Sequence, residues 1–229
     1  MDSFLNLGYS KDMKIKNLLF DLDATLYSAK SIISENMTKR ILSFCSNYLQ
    51  LPLEEVREIR RKGLIKYGTT MEWLRTDYNL KNPTEYFEHV HPDSEKNEVP
   101  FDENLRPFLK ELSKSYHLSV LTNAPKVHAN CILNHLNVYD LFDGIYDLED
   151  NNLFGKPYEA AYRKAIEEKG FTVAETIFFD DMPKYVKGYA DIGGRGVLVD
   201  QDNRYDETVI ANYNVYKKIS SIYEIPEIL

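Results

Sequence analysis

Short apolar runs constrain this chain more than any other feature. Asn17-Leu18-Leu19-Phe20, Leu118-Ser119-Val120-Leu121 and Thr176-Ile177-Phe178-Phe179 are each about one strand long. Runs of this kind bury both faces, as strands of a parallel sheet do. Each stops at polar residues: Asp21, Thr122-Asn123 and Asp180-Asp181. A further run over residues 195–200 repeats the pattern. Between the runs lie helical patterns. Residues 104–116 carry Leu105, Phe108, Leu109 and Leu112 near helical spacing. Residues 125–136 and 157–169 each open on proline, and the second stops at Gly170. Alternating strands and helices predict a doubly wound, Rossmann-like α/β sheet. In such sheets ligands bind beyond the carboxyl ends of the strands, so the polar strand ends should share one crevice.

Residues 28–100 break the alternation. Ile33, Met37, Ile41, Phe44 and Tyr48 step by three and four, which predicts an amphipathic helix over 31–49. Residues 53–66, 71–78 and 83–90 read as further helices. The expected organisation is an α/β core from residues 1–27 and 101–229, with residues 28–100 inserted as a helical unit. A last strand is expected at 214–216. No internal repeat is evident.

Composition limits the functions open to this chain. Of 229 residues, 43% are hydrophobic and 28% charged, enough for a sizeable core. A net charge of −8 argues against nucleic acid, whose phosphates need a basic excess. A small phosphorylated substrate stays open, because a bound cation can reverse the local sign. Cys45 and Cys131 fit neither a disulfide framework nor a zinc cluster. Residues 1–16 lack the apolar core of a signal peptide, and no run reaches the roughly 18–20 residues of a membrane span. The expectation is a cytoplasmic protein with no membrane partner, a monomer or small homo-oligomer.

The sharpest chemical signal is Asp21-Leu22-Asp23-Ala24-Thr25 directly after an apolar strand. Two carboxylates there can divide labour as nucleophile and proton carrier. The lesser alternative is that they cap backbone groups in a turn. Thr122-Asn123-Ala124 offers a hydroxyl and backbone N–H groups to phosphate oxygens, or simply caps a helix. Lys156 before a helix could offset phosphate charge, or lie solvated on the surface. Asp180-Asp181 would repel each other unless a cation such as Mg²⁺ separates them; an Asx turn with a helix cap is the other option.

The ordered set Asp21-x-Asp23-x-Thr25, Thr122, Lys156 and Asp180-Asp181 resembles the haloacid-dehalogenase-like phosphohydrolases, and the helical insertion looks like their C1-type cap. A narrower resemblance joins residues 20–27, Lys66-Tyr67-Gly68, Thr122-Asn123-Ala124 with His128, Leu141-Phe142-Asp143-Gly144 and Lys156-Pro157 to the pyrimidine 5′-nucleotidase group. It implies that Asp21 attacks phosphorus and forms an aspartyl-phosphate, which water then hydrolyses. Asp23 would protonate the leaving oxygen and later deprotonate that water. Mg²⁺ would sit between Asp21, the Asp23 main-chain carbonyl and Asp181, with Asp180 as ligand or supporting partner. Thr122, Asn123 and Lys156 would bind the phosphoryl group. An acid at Asp23 favours phosphatase or phosphotransferase over dehalogenase.

Two positions depart from the family pattern. Ala24 stands where relatives often have Asn or Asp. Tyr185 stands where Asn or Asp usually supports the metal.

The implied activity is hydrolysis of a small soluble phosphate ester, foremost a pyrimidine nucleoside 5′-monophosphate. A sugar-phosphate phosphatase, a phosphomutase or a non-catalytic binding protein are the alternatives. Tyr27, Tyr67, Thr69 and Trp73 are candidates for choosing the substrate, since aromatic rings can stack on a base. Tyr67 and Trp73 could instead pack helix on helix. His89 and His91 could pair on a metal, but an exposed helix end before Pro92 is the expected arrangement.

Overall fold

The computed structural model describes residues 14–28, 30 and 32–229. Most of the segment read for a leader, residues 1–13, lies outside these, as does Ser31 at the expected start of the first helix. Six strands form one parallel sheet: β1 Asn17–Phe20, β2 His117–Leu121, β3 Gly144–Tyr146, β4 Thr176–Asp180, β5 Arg195–Val199 and β6 Lys217–Ile219. Their order is β3-β2-β1-β4-β5-β6, the doubly wound arrangement that was expected. β1 lies at the centre, with Asn17 opposite both His117 and Thr176.

Side chains alternate across each strand, so two cores form. Leu18, Phe20, Val120, Phe179 and Val197 point to one face. There they meet α5 Leu105–Leu112 and α6 Lys126–His135, reached after four earlier helices. Leu19, Leu121 and Phe178 point to the other face, covered by α7 Glu159–Glu167 and α8 Pro183–Asp191. A short helix, α9 Glu207–Asn212, starts where Asp206 accepts from the backbone N–H groups of Thr208 and Val209.

Four helices lie between β1 and β2: α1 Ile33–Leu49, α2 Leu53–Tyr67, α3 Thr70–Tyr78 and α4 Pro83–Val90. They bury a cluster of their own, including Phe44, Val56, Trp73, Leu74 and Phe87. Local chemistry starts two of them. Thr69 accepts from the Glu72 N–H ahead of α3, and Asn82 accepts from the Thr84 N–H ahead of α4, with Pro83 in its first turn. Gly63 on α2 lets Trp73 press against the helix, since a Cβ there would fall 2.4 Å from the indole. A 3-10 turn, Asp93–Glu98, leads back towards the sheet.

Three elements differ from expectation. β3 was not anticipated; it is an edge strand of three residues, too short to leave a hydrophobic run. The last strand falls at Lys217–Ile219 rather than 214–216, because Asn214 takes a left-handed conformation with φ 50°. α5 ends at Leu112, and residues 113–116 turn directly into β2. Among the described residues, no helix is long and apolar enough to cross a membrane.

Candidate active site

β1 and β4 are neighbours at the point where strand order reverses, and the Asp21 N–H donates to the Phe179 carbonyl at 2.8 Å. Asp21 and Asp180 therefore leave the sheet side by side. The loops at this edge floor a cavity of about 290 Å³ roofed by α1 to α4. Asp21, Asp23, Thr122, Asn123, Lys156 and Asp181 line its sheet side.

Lys156 is the electrostatic centre. It is 2% exposed, and its Nζ donates to Asp21 Oδ1 at 2.7 Å and to Asp180 Oδ2 at 2.6 Å. The surface reading of this lysine is thereby excluded. Its Nζ also lies over the rings of Phe178 and Tyr185. Asn123 fixes the loop that carries it. The Asn123 amide donates to the Lys156 carbonyl at 2.8 Å, and its oxygen accepts the Lys156 N–H at 2.7 Å. Gly155 makes room, since a Cβ there would lie 2.0 Å from Asn123 Oδ1. Asn123 thus lines the cavity with its side-chain amide already committed to the main chain. Thr122 is buried, and its hydroxyl accepts from the Ala124 N–H at 3.0 Å.

The acidic groups carry more charge than Lys156 can neutralise. Burial pushes the Asp21 carboxyl well above the usual carboxylate range, although Lys156 opposes the rise. Burial also raises Asp180, again against Lys156. Asp181 is pushed up to about 6 by burial and by Asp180 beside it, with Arg204 pulling the other way. Oxygens of Asp21, Asp180 and Asp181 lie within 4.8 Å of one another, and hard carboxylate oxygens in that array suit a divalent cation. Asp180 already spends Oδ1 on the Met182 N–H and Oδ2 on Lys156. Among the described residues, Asp181 spends only Oδ2, on Arg204 at 2.9 Å, and Asp21 only Oδ1, on Lys156, so each keeps one oxygen for a cation.

Asp23 turns away from this array. Its Oδ1 accepts from the Tyr27 hydroxyl at 2.5 Å and from His128 Nε2 at 2.7 Å. Burial opposes ionisation, but the His128 charge and both hydrogen bonds outweigh it and lower Asp23 to about 2. Behind it, His128 Nδ1 meets Glu95 Oε1 at 2.7 Å, and His91 Nδ1 meets Glu95 Oε2 at 3.1 Å. His128 and Glu95 are fully buried. Burial should lower His128, yet the carboxylates on its two nitrogens raise it to about 10.

Several expected specificity residues sit elsewhere. Trp73 is 2% exposed, packs edge-on to Tyr78, and does not line the cavity. The Tyr67 hydroxyl donates to Asp77 on the outer side of the insertion. Tyr27 bonds Asp23 rather than lining this cavity. Thr69 does line it, joined by Arg60, Tyr86 and Phe87, which drew no attention in sequence. His91 is not an exposed helix end. The turn after Pro92 folds Glu95 onto it, while His89 lies against Phe44 and the two histidines do not pair. Tyr185 lines the cavity, its ring 5.1 Å from Lys156 Nζ.

Other contributors were given no role in sequence. His128 stood only in the narrower resemblance, and it occupies a core-facing slot of α6, four before Ile132. Glu95 is hidden in the charged run of residues 93–98. Arg204 and Gln201 belong to the segment after β5, which carries no motif. Arg204 reaches Asp181, and Gln201 donates to the carbonyls of Ala24 and Tyr27.

The class these features define is an open α/β fold with a buried charged centre at its switch point and a helical roof. The model of the haloacid dehalogenase-like hydrolases matches residues 15–193, and the chain belongs to that family. Phosphate metabolism protein 8 of Saccharomyces cerevisiae is 25% identical over 93% of this chain and 72% of its own length. Glyceraldehyde 3-phosphate phosphatase of Methanocaldococcus jannaschii is 24% identical over 94% of this chain and 97% of its own. Among solved structures, the HAD phosphatase from Thermococcus onnurineus superposes with a TM-score of 0.68 at 20% identity, covering 93% of this chain and 97% of its own. The Bacillus subtilis HAD-hydrolase YfnB, bound to magnesium, gives a TM-score of 0.65 at 17% identity, covering 94% of this chain and 99% of its own.

Proposed function

We propose that this hydrolase is a Mg²⁺-dependent phosphomonoesterase for a small soluble ester, foremost a pyrimidine nucleoside 5′-monophosphate. Residues 1–27 and 101–229 form its catalytic core, and residues 28–100 its cap. The observation that carries the reading is the Asp21–Lys156–Asp180 centre on the cavity floor. Asp21 attacks phosphorus in line, forming an aspartyl-phosphate and releasing the ester oxygen. The incoming phosphate dianion works against the ionisation that His128 favours, and it is the protonated form of Asp23 that gives a proton to the leaving oxygen. As a carboxylate it then takes a proton from the water that hydrolyses the intermediate. Lys156 and the Thr122 loop bind the transferring group, and Asn123 keeps Lys156 in place. Asp21, Asp181 and the Asp23 main-chain carbonyl would hold Mg²⁺, with Asp180 supporting Lys156. The ion supplies positive charge that offsets the phosphoryl oxygens.

The roof supports a nucleotide. Met37, Ile41, Leu64, Met71 and Phe87 offer apolar walls to a flat base, and Arg60 offers guanidinium donors to carbonyl oxygens on its edge. A hydroxyl-rich sugar would leave those walls unmatched. Likeness to a glyceraldehyde 3-phosphate phosphatase favours a second reading, a triose or sugar phosphate. Phosphate release from UMP, CMP, glucose 6-phosphate and glyceraldehyde 3-phosphate, with Mg²⁺ and with chelator, separates the two. UMP or CMP should show the higher kcat/KM, only with Mg²⁺, and folded Asp21→Asn should release none. Equal or reversed kcat/KM removes the nucleotide reading, and turnover by Asp21→Asn removes the mechanism.

A further inference from the structure

We infer that His128 and Glu95 are positioning residues for Asp23, forming a buried chain that aims one oxygen of the proton-transferring carboxylate at the ester. This inference rests on the proton-transfer role proposed above. Both donors to the Asp23 carboxylate converge on Oδ1: the Tyr27 hydroxyl at 2.5 Å and His128 Nε2 at 2.7 Å. Among the described residues Oδ2 receives no hydrogen bond, and the Asp23 side chain is one-third exposed, at the cavity wall. A carboxylate held by one oxygen has its χ2 rotation fixed and its second oxygen available to the substrate.

The orientation does not end at His128. Both of its ring nitrogens lie against carboxylates, Nε2 at 2.7 Å from Asp23 Oδ1 and Nδ1 at 2.7 Å from Glu95 Oε1, with His91 Nδ1 3.1 Å from that second nitrogen. Glu95 is held in turn by His91 through its other oxygen at 3.1 Å and by Arg40 at 3.5 Å. Arg40 belongs to α1, donates to the Val90 carbonyl and pairs with Glu98, so the chain is anchored in the cap. Apolar side chains of similar volume would fill this space with equal or greater stability, because buried ion pairs repay their desolvation only in part. A fully buried His–Glu pair ending on a reactive carboxylate is therefore better explained by what it does to that carboxylate.

Leaving-group dependence tests this. p-Nitrophenyl phosphate expels a phenolate that departs without a proton, whereas UMP expels an alkoxide that needs one. kcat/KM reports only events up to formation of the aspartyl-phosphate, and the ratio of the two values on one preparation is independent of the fraction folded. His128→Leu should lower the UMP/p-nitrophenyl phosphate ratio by about tenfold or more, part of the roughly 10²–10⁴ that general acid catalysis supplies. His128→Gln keeps a donor near the Nε2 position and should recover part of that loss. Glu95→Gln should fall between the parent and His128→Leu. Asp23→Asn should depress the ratio most. If Asp23→Asn depresses it while His128→Leu lowers both esters equally, His128 is structural and the inference fails. If Asp23→Asn leaves the ratio unchanged, the proton-transfer role of Asp23 fails, and the inference with it.

Discussion

Lys156→Met should destabilise the protein, in a pH-dependent way that reveals what the ammonium compensates. Methionine keeps an unbranched stem of similar length but leaves Asp21 and Asp180 without the cation now 2.7 and 2.6 Å away. Both carboxylates are buried. Breaking a buried pair from one side costs about 3–5 kcal/mol. For a chain of this size that is a fall in Tm of roughly 6–20 °C. The sign with pH follows from the carboxyls, which burial already holds above the value of an exposed Asp, 3.8. Without Lys156 they rise further, so the folded variant keeps protons that the unfolded chain releases. Stability then falls as pH rises above the unfolded value, by up to about 1.4 kcal/mol per pH unit for each carboxyl. Thermal melts in chelator from pH 5 to 7.5 should show the deficit against the parent shrinking on acidification. A deficit that is constant or grows towards pH 5 would refute the account, as would one under about 1 kcal/mol.

Trp73→Ala should cost about 3–5 kcal/mol of stability and leave the ratio of UMP to glucose 6-phosphate turnover unchanged, since the indole is cap core; a shifted ratio would return Trp73 to the site. Ala24 sits at φ 58°, a left-handed conformation that Asn adopts more readily. Ala24→Asn should therefore raise Tm, by about 1–4 °C for roughly 0.5–1 kcal/mol, and a lowered Tm would contradict this. The pairing of His128 stabilises the fold fully below its ordinary pKa of 6.5 and is lost as pH rises through about 10. The parent's Tm should drop more steeply than that of His128→Gln over that interval, and parallel curves would mean that His128 is neutral.

Four of the six strands were legible because they are apolar on both faces, and the reactive edge because each of those runs stops at polar residues. Phe20-Asp21 and Phe179-Asp180 are such boundaries, and they lie side by side in the fold. What was illegible depended on partners far along the chain. Nothing local distinguishes Glu95 from its charged neighbours; Arg40, His91 and His128 pull it inside. Trp73 misled because an aromatic near a loop reads equally as wall or core, and only the close approach of Gly63 decides. Ala24 was readable as a departure, but its cost lies in the backbone angle rather than in a lost side-chain bond.

The central place of β1 also bears on how the chain is made. β1 precedes both of its neighbours in the chain, which begin at His117 and Thr176. At about 5–20 residues per second, β1 waits on the order of ten to thirty seconds for its second partner. Its exposed Leu18-Leu19-Phe20 edge is an aggregation hazard throughout that wait. The four helices made in the interval can condense on one another, since nearly all of their core comes from residues 41–90. They can therefore form a packed unit of their own before β2 and β4 are made, so the roof of the site does not wait for the sheet beneath it.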